Sequence, residues 1–258
     1  MKYVVVLFTL LFGPLAFSKI ISEKVEYKEG SNVLEGFIVY DSTKTEGGKT
    51  LPGMIIVHDW MGVSNYVKRR AEQMAELGYV AFVADIYGKD IRPKDVKQAK
   101  SLADDYKSGS RKPMRSRAEA ALIELKKSKF VDTQKISAMG YCFGGIVVLE
   151  MARMGLPLNG VISFHGNLNA FNMTDAKNIR TRILVLHGAI DPYVKPEEVA
   201  QFQKEMNDAG VDYQFIAYSG AVHAFTESHV GTDMSTGAAY NRVADIRSFN
   251  AMKSFLAE

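Results

Sequence analysis

Residues 135–151 read K-I-S-A-M-G-Y-C-F-G-G-I-V-V-L-E-M, and this stretch decides how the rest of the chain is read. A short buried run, Lys135 to Met139, gives way without a linker to an apolar helical segment, Gly144 to Met154. Between them lies G-Y-C-F-G-G. A glycine two residues before and two residues after a nucleophile marks a sharp strand-to-helix turn, with Cys142 where Ser is more usual. Side chains at Gly140 and Gly144 would collide across that turn, and Gly145 lets the helix approach the sheet closely. The turn lifts the sulfur above the sheet and sets it at a helix N-terminus, where the dipole favours negative charge. Cys142 is the only cysteine. An intrachain disulfide and a cysteine-based structural metal site are therefore excluded, and the thiol is either buried packing or chemistry.

Working outward, the same strand-helix rhythm continues on both sides. Buried runs fall at Gly53 to His58, Tyr79 to Ala84, Lys135 to Met139, Gly160 to Phe164, Arg182 to His187 and Asp212 to Tyr218. Helical patterns lie at Tyr66 to Leu77, Pro113 to Lys127, Gly144 to Met154, Pro196 to Ala209 and Ala239 to Leu256. Continuous apolar runs separated by amphipathic helices predict an α/β fold with a mostly parallel central sheet and helices on both faces. Ahead of it, Glu23 to Lys28 and Val33 to Tyr40 alternate as an antiparallel hairpin around Glu29-Gly30-Ser31-Asn32. No linker or repeat interrupts residues 19–258, which read as one domain. In such sheets, ligands gather beyond the carboxyl ends of the strands. The positions to inspect are thus His58, Asp59 and Trp60, then Asp85, Tyr141 and Cys142, His165, His187 to Asp191, and Ser219 to His223.

Composition narrows the function classes. Of 258 residues 47% are hydrophobic, and 32 basic residues face 29 acidic ones, so charge does not single out a polyanionic partner. The densest basic stretch, Lys107 to Arg117, reads as a solvated loop and helix start or as a rim that attracts an anionic substrate. It carries no nucleic-acid-binding module. Residues 1–18, M-K-Y-V-V-V-L-F-T-L-L-F-G-P-L-A-F-S, have a positive start, an apolar run and a small-residue end. This is the layout of a secretory signal peptide cut after Ser18, with an apolar run too short to span a bilayer. Export to a bacterial periplasm is the expectation, with no stable membrane span after cleavage.

A cysteine nucleophile needs a base and a group to orient that base. In the hydrolase pattern that shares the G-x-nucleophile-x-G turn, the acid and then the histidine follow in chain order. Asp191 lies in H-G-A-I-D-P, 49 residues beyond Cys142, and His223 lies in S-G-A-V-H-A-F, 32 residues further on. Asp85 precedes the nucleophile, and Asp212 sits at the wrong end of its strand. Because His58, His165, His187 and His223 all follow strands, a metal-dependent hydrolase is a competing reading, although close H-x-H or H-E-x-x-H spacing is missing. A binding protein that keeps the fold without catalysis is another.

Across essentially the whole mature region the chain resembles the dienelactone hydrolase family of α/β-hydrolases. The resemblance is carried by H-D-W-M-G-V at 58–63, L-G-Y-V-A-F-V-A-D-I-Y-G at 77–88, G-Y-C-F-G-G at 140–145, H-G-A-I-D-P at 187–192, H-A-F at 223–225 and A-Y-N-R-V-A-D-I-R-S at 239–248. It implies a Cys142-Asp191-His223 triad and cofactor-free hydrolysis of a small ester or lactone through a thioester, by a monomer or weak dimer. The backbone N–H groups of Phe143 and Trp60 would hold the oxyanion. Asp59 stands where the family commonly has a Glu against the thiol. It either keeps that gating role, positions Trp60 or caps the following helix. The family arginine shortly after the catalytic histidine is absent, since Ala224-Phe225-Thr226-Glu227 follow. Arg111, Arg115 or Arg117 remain as anion contacts, and Trp60, Tyr87, Phe143 and Phe225 as an acyl pocket or as core.

Overall fold

The structure, a computed structural model, describes residues 18–258. The sequence-predicted signal segment at 1–18 thus lies, apart from Ser18, outside the described residues. Two antiparallel strands come first, β1 (Ile20–Glu29) and β2 (Asn32–Asp41), longer than the predicted hairpin. They are joined by Gly30-Ser31, with Gly30 in the left-handed region that such a tight turn demands. Then follow β3 (Leu51–Val57), α1 (Asn65–Glu76), β4 (Val80–Ala84), α2 (Val96–Lys107), α3 (Lys112–Leu125), β5 (Val131–Tyr141), α4 (Phe143–Arg153), β6 (Gly160–Phe164), β7 (Arg182–Gly188), α5 (Pro196–Ala209), β8 (Tyr213–Tyr218) and α6 (Arg242–Ala257).

The strands form one eight-stranded sheet in the order β1-β2-β4-β3-β5-β6-β7-β8. The β1–β2 and β2–β4 pairs are antiparallel and all others are parallel. Strand alternation splits the core into two layers. Ile55 and Val57 of β3 join Met114, Ala118, Leu122, Val147 and Phe202 on one face. Met54 and Ile56 join Val67, Ala71, Met74, Met252 and Phe255 on the other. Helices α1 and α6 cover the second face, while α3, α4 and α5 cover the first.

Helix α2 is the element that the apolar pattern does not announce. Only Ala99 and Ala103 are buried on it, and its start is set by Asp95, whose carboxylate accepts the Gln98 N–H. Helix α6 begins three residues later than predicted, at Arg242. Residues 238 and 239 instead pair with His223, and the Asn241 side chain caps the Ala244 N–H.

The β5–α4 turn packs backbone against backbone. A Cβ on Gly144 would run into the Val57 carbonyl of β3, and one on Gly140 into the Gly144 carbonyl. On Gly145 it would stand 2.7 Å from the Gly166 Cα. Each of these neighbours is main chain and has little freedom to yield. Gly144→Ala is therefore expected to destabilise the fold by more than about 3 kcal/mol, the range reached when forced overpacking shifts backbone. Urea unfolding followed by circular dichroism measures it, and a loss below 1 kcal/mol would show that the turn relaxes freely.

Candidate active site

Parallel strand order brings the ends of β5, β7 and β8 to one edge of the sheet, with β6 between β5 and β7, and with them three side chains far apart in sequence. Cys142 follows β5, Asp191 lies in the loop after β7, and His223 lies in the loop after β8. His223 Nδ1 is 2.8 Å from Asp191 Oδ2, and its Nε2 is 3.0 Å from Cys142 Sγ. The second Asp191 oxygen accepts the Tyr193 N–H at 2.8 Å, so both lone-pair faces of the carboxylate are committed. His223 and Asp191 are buried, while Cys142 is half-buried. Burial alone would pull the His223 pKa down, but the Cys142 sulfur and the Asp191 carboxylate outweigh it and hold that pKa well above the ordinary value.

Backbone strain concentrates here. Cys142 has φ +53° and ψ −114°, and His165 and Ala224, at the two neighbouring loop entrances, also have positive φ. Each such non-glycine conformation costs on the order of 1–3 kcal/mol and persists only where its surroundings over-determine it. The Cys142 N–H supplies part of that hold, donating both to the Phe164 carbonyl (3.0 Å) and to His165 Nδ1 (3.2 Å).

The loop after β3 is organised by two buried groups. His58 donates from Nδ1 to the Asp59 carbonyl (2.6 Å) and accepts the Ile86 N–H on Nε2 (3.1 Å), an arrangement that fits only the neutral ring. Burial takes its pKa down to about 4. The Asp59 carboxyl accepts the Met61 N–H at 2.6 Å, and the Asp59 carbonyl accepts the Gly62 N–H. Asp59 thus shapes the turn that carries Trp60. Among the described residues, neither the Trp60 nor the Phe143 backbone N–H donates to a protein acceptor. Asp85 is used in the same way one strand over: it accepts the backbone N–H groups of Glu35, Tyr87 and Gly88.

Several predicted pocket residues are placed elsewhere. Arg115 is not in a substrate pocket: its guanidinium lies 2.5 Å from Glu150 and 2.6 Å from Asp175. Arg111 also pairs with Glu150, and Arg117 donates to the carbonyls of Ile86 and Tyr87. The reason is Glu150 on α4, which is fully buried and would be an uncompensated charge without these partners. The three arginines of the basic stretch thus turn inward, while residues 108–110 and Lys112 are the solvated loop and helix start. Phe225 is core, packed on His165 and Tyr218. Tyr87 is also buried, wedged between His58 and Phe143 behind the Phe143 N–H. Trp60 is half-buried beside the site.

The strand-end histidines have separate partners, and among the described residues no group of three or more His, Cys, Asp or Glu is arranged to hold a metal. Tyr66, Arg70 and Thr226, which no motif marks as part of the site, join His165 in one hydrogen-bonded chain. Glu227 follows Thr226 in the same loop. This carboxyl is 3% exposed, one of its oxygens has no hydrogen-bond partner, and the other lies 3.6 Å from His229 Nε2. Nothing in residue spacing marks Arg70, which arrives from α1 on the other side of the sheet.

A strand-elbow-helix with a sulfur, a histidine and an aspartate in line on an eight-stranded, mostly parallel sheet defines an α/β-hydrolase. The sequence matches the dienelactone hydrolase family over residues 37–258, and the chain belongs to that family. It is a hydrolase. The solved structure of P91, a dienelactone hydrolase-like promiscuous phosphotriesterase from metagenomic libraries, superimposes with a TM-score of 0.87 at 35% identity, covering 92% of this chain and 98% of that one. The Caenorhabditis elegans protein K02A2.1 is 36% identical over 154 residues, 59% of this chain and 96% of the relative. A Bradyrhizobium protein named as a probable 2-oxo-3-(5-oxofuran-2-ylidene)propanoate lactonase is 27% identical over 69% of this chain and 74% of its own.

Burial raises the Asp59 pKa to about 6 from an ordinary 3.8. The fold therefore prefers its neutral form: this preference contributes fully below the unfolded value and is lost as pH rises through about 6. Asp59→Asn, which keeps an acceptor for the Met61 N–H, is expected to stabilise the protein at pH 8 by on the order of 2 kcal/mol, with little effect at pH 4. Thermal melts at the two pH values measure it, and equal shifts at both would mean that the Asp59 charge is not what matters.

Proposed function

We propose that the protein hydrolyses small neutral carboxylic esters or lactones through a thioester on Cys142. The observation that carries this reading is the single imidazole of His223 bridging Sγ at 3.0 Å and Asp191 at 2.8 Å. The sulfur attacks the substrate carbonyl carbon, and the carbonyl oxygen takes the negative charge within reach of the Phe143 and Trp60 N–H groups. As the C–O bond breaks, His223 gives its proton to the leaving alkoxide; in a lactone this oxygen stays tethered to the acyl chain. Asp191 holds the imidazole in the tautomer that this transfer needs. His223 then takes a proton from water, the hydroxide attacks the thioester carbonyl, and the acid leaves as the sulfur recovers its electron pair. A non-catalytic binding role finds no support in a triad at bonding distances.

Neutrality of the substrate follows from Glu227. Four residues after His223, where an arginine would meet a substrate carboxylate, stands a buried acid. Burial pushes its pKa well above the usual carboxyl range, and the nearby Asp59 and Cys142 charges push it further. A substrate carboxylate brought here would meet this acid in place of the arginine. The likeness to the promiscuous phosphotriesterase P91 adds phosphotriesters as a further substrate class, since their P=O would use the same two N–H donors.

Wild type is expected to release phenol from a short aryl ester and to show an acyl adduct on Cys142 by intact mass. Cys142→Ala should lose at least about a thousandfold in rate. A neutral lactone should be preferred over its carboxylated analogue by about a hundredfold or more, the scale on which an unpaired buried charge discriminates. Equal turnover by Cys142→Ala, or no adduct in wild type, would overturn the covalent route.

We further propose that the chain is exported and cut after Ser18. The Lys19 nitrogen lies 3.1 Å from Asp41 Oδ1, so the new ammonium terminus would meet a buried carboxylate already in place. N-terminal sequencing of the protein recovered from a bacterial periplasm should begin at Lys19. Recovery of residues 1–18 on that material would rule the cut out.

A further inference from the structure

The side chain nearest the nucleophile's own backbone belongs to no member of the triad. His165, fully buried at the end of β6, has Nδ1 3.2 Å from the Cys142 nitrogen and Nε2 2.7 Å from Thr226 Oγ1. Thr226 lies in the loop of the catalytic histidine, three residues beyond His223. Its hydroxyl is 2.6 Å from the Tyr66 hydroxyl, which also accepts Arg70 Nε at 3.3 Å. Arg70 in turn donates to the Thr226 carbonyl (2.8 Å) and to Asp245 of α6 (2.7 Å).

We infer that His165 is a positioning residue for the reaction: it fastens the cysteine elbow to the histidine loop and so sets the sulfur-to-imidazole geometry. This deepens the reading of Cys142 as nucleophile and rests on it.

The chemistry of the ring makes the fastening directional. Cys142 offers an N–H, so Nδ1 must be an acceptor, and the one ring proton of a neutral imidazole sits on Nε2 and goes to Thr226. A protonated His165 would have no lone pair for the Cys142 N–H. The environment holds it neutral: full burial is the largest influence, with the His223 ring 5.3 Å away and Arg70 beyond it, and together they depress its pKa well below the ordinary value. The Glu227 carboxyl, 4.0 Å from Nε2, would favour the charged ring only if ionised, and burial raises its pKa and so opposes that ionisation. A neutral ring also adds no positive charge beside His223 when that residue carries the proton.

Both residues that the link joins are strained, Cys142 at φ +53° and His165 at φ +41°. Without the link, the elbow and the histidine loop are free to relax separately, and displacement of reacting groups by about 1 Å can cost about a hundredfold in rate. Asparagine can replace both functions, with Oδ1 accepting the Cys142 N–H and Nδ2 donating toward Thr226. Phenylalanine fills the volume and offers neither.

The test compares His165→Phe, His165→Asn and Thr226→Val with wild type. It reads kcat and KM on a neutral aryl ester and, independently of turnover, the rate of Cys142 alkylation by iodoacetamide at pH 7. His165→Phe is expected to lower kcat by about a hundredfold with KM within about threefold, and to slow alkylation by about tenfold as the sulfur loses its partner. His165→Asn should recover at least about tenfold of the lost kcat, and Thr226→Val, which leaves the histidine in place, should lower kcat by about tenfold. A folded His165→Phe with wild-type kcat and alkylation rate would overturn the proposal. So would a His165→Asn no better than His165→Phe, or a folded Thr226→Val with unchanged kcat. Turnover that survives in Cys142→Ala would instead defeat the nucleophile assignment, and the alkylation rates would still report on His165.

Discussion

Everything at the site depends on one close approach, that of the β5–α4 turn to the strands on either side. Gly144 packs on the Val57 carbonyl of β3, and Gly145 packs on Gly166 after β6 and on the Ser163 hydroxyl. That contact fixes where the helix begins, and therefore where the Phe143 N–H points and how far Sγ stands above the sheet. It also forces Cys142 into a conformation that a non-glycine residue avoids. The turn is tight because sheet and helix are packed backbone to backbone, and strained for the same reason.

Strain of this kind must be held from several directions. From below, the Cys142 N–H is tied to β6 through Phe164 and His165. From behind, α4 is anchored by charge: Glu150 and Arg153 on that helix, both fully buried, are met by Arg111 just before α3, by Arg115 of α3 and by Glu205 of α5. Buried ion pairs are weak sources of net stability, because desolvation offsets most of the attraction. Their geometric demand is strict, however, since removing any one partner leaves a charge stranded. Here they hold α4 in register with its neighbours at the end opposite Cys142.

Much of this was legible in the residues. The alternation of apolar runs and helices gave the parallel sheet, since strands buried on both faces must be apolar throughout. The glycine spacing around Cys142 marked the elbow, because only glycine tolerates those contacts. Chain order singled out Asp191 and His223, and the fold sets them at hydrogen-bonding distance from one another. The basic stretch 107–117 was not legible. Nothing local distinguishes an arginine that faces water from one that neutralises Glu150, 35 residues after Arg115. Helix α2 was faint because so little of it is buried, and Phe225 gave no sign whether it lined a pocket or the core.

The sequence by itself therefore determined the fold class, the glycine turn around Cys142 and the chain order of Cys142, Asp191 and His223, all of which rest on local sterics and on the periodicity of burial. Tertiary structure alone decided which charges meet and which histidine supports which loop. Arg70 from α1, Thr226 after β8 and His165 after β6 belong to one chain of hydrogen bonds that ends on the Cys142 amide, and Arg111 and Arg115 turn inward to Glu150. Such pairings depend on distances between segments remote in the chain, and no periodicity or short motif encodes a distance of that kind.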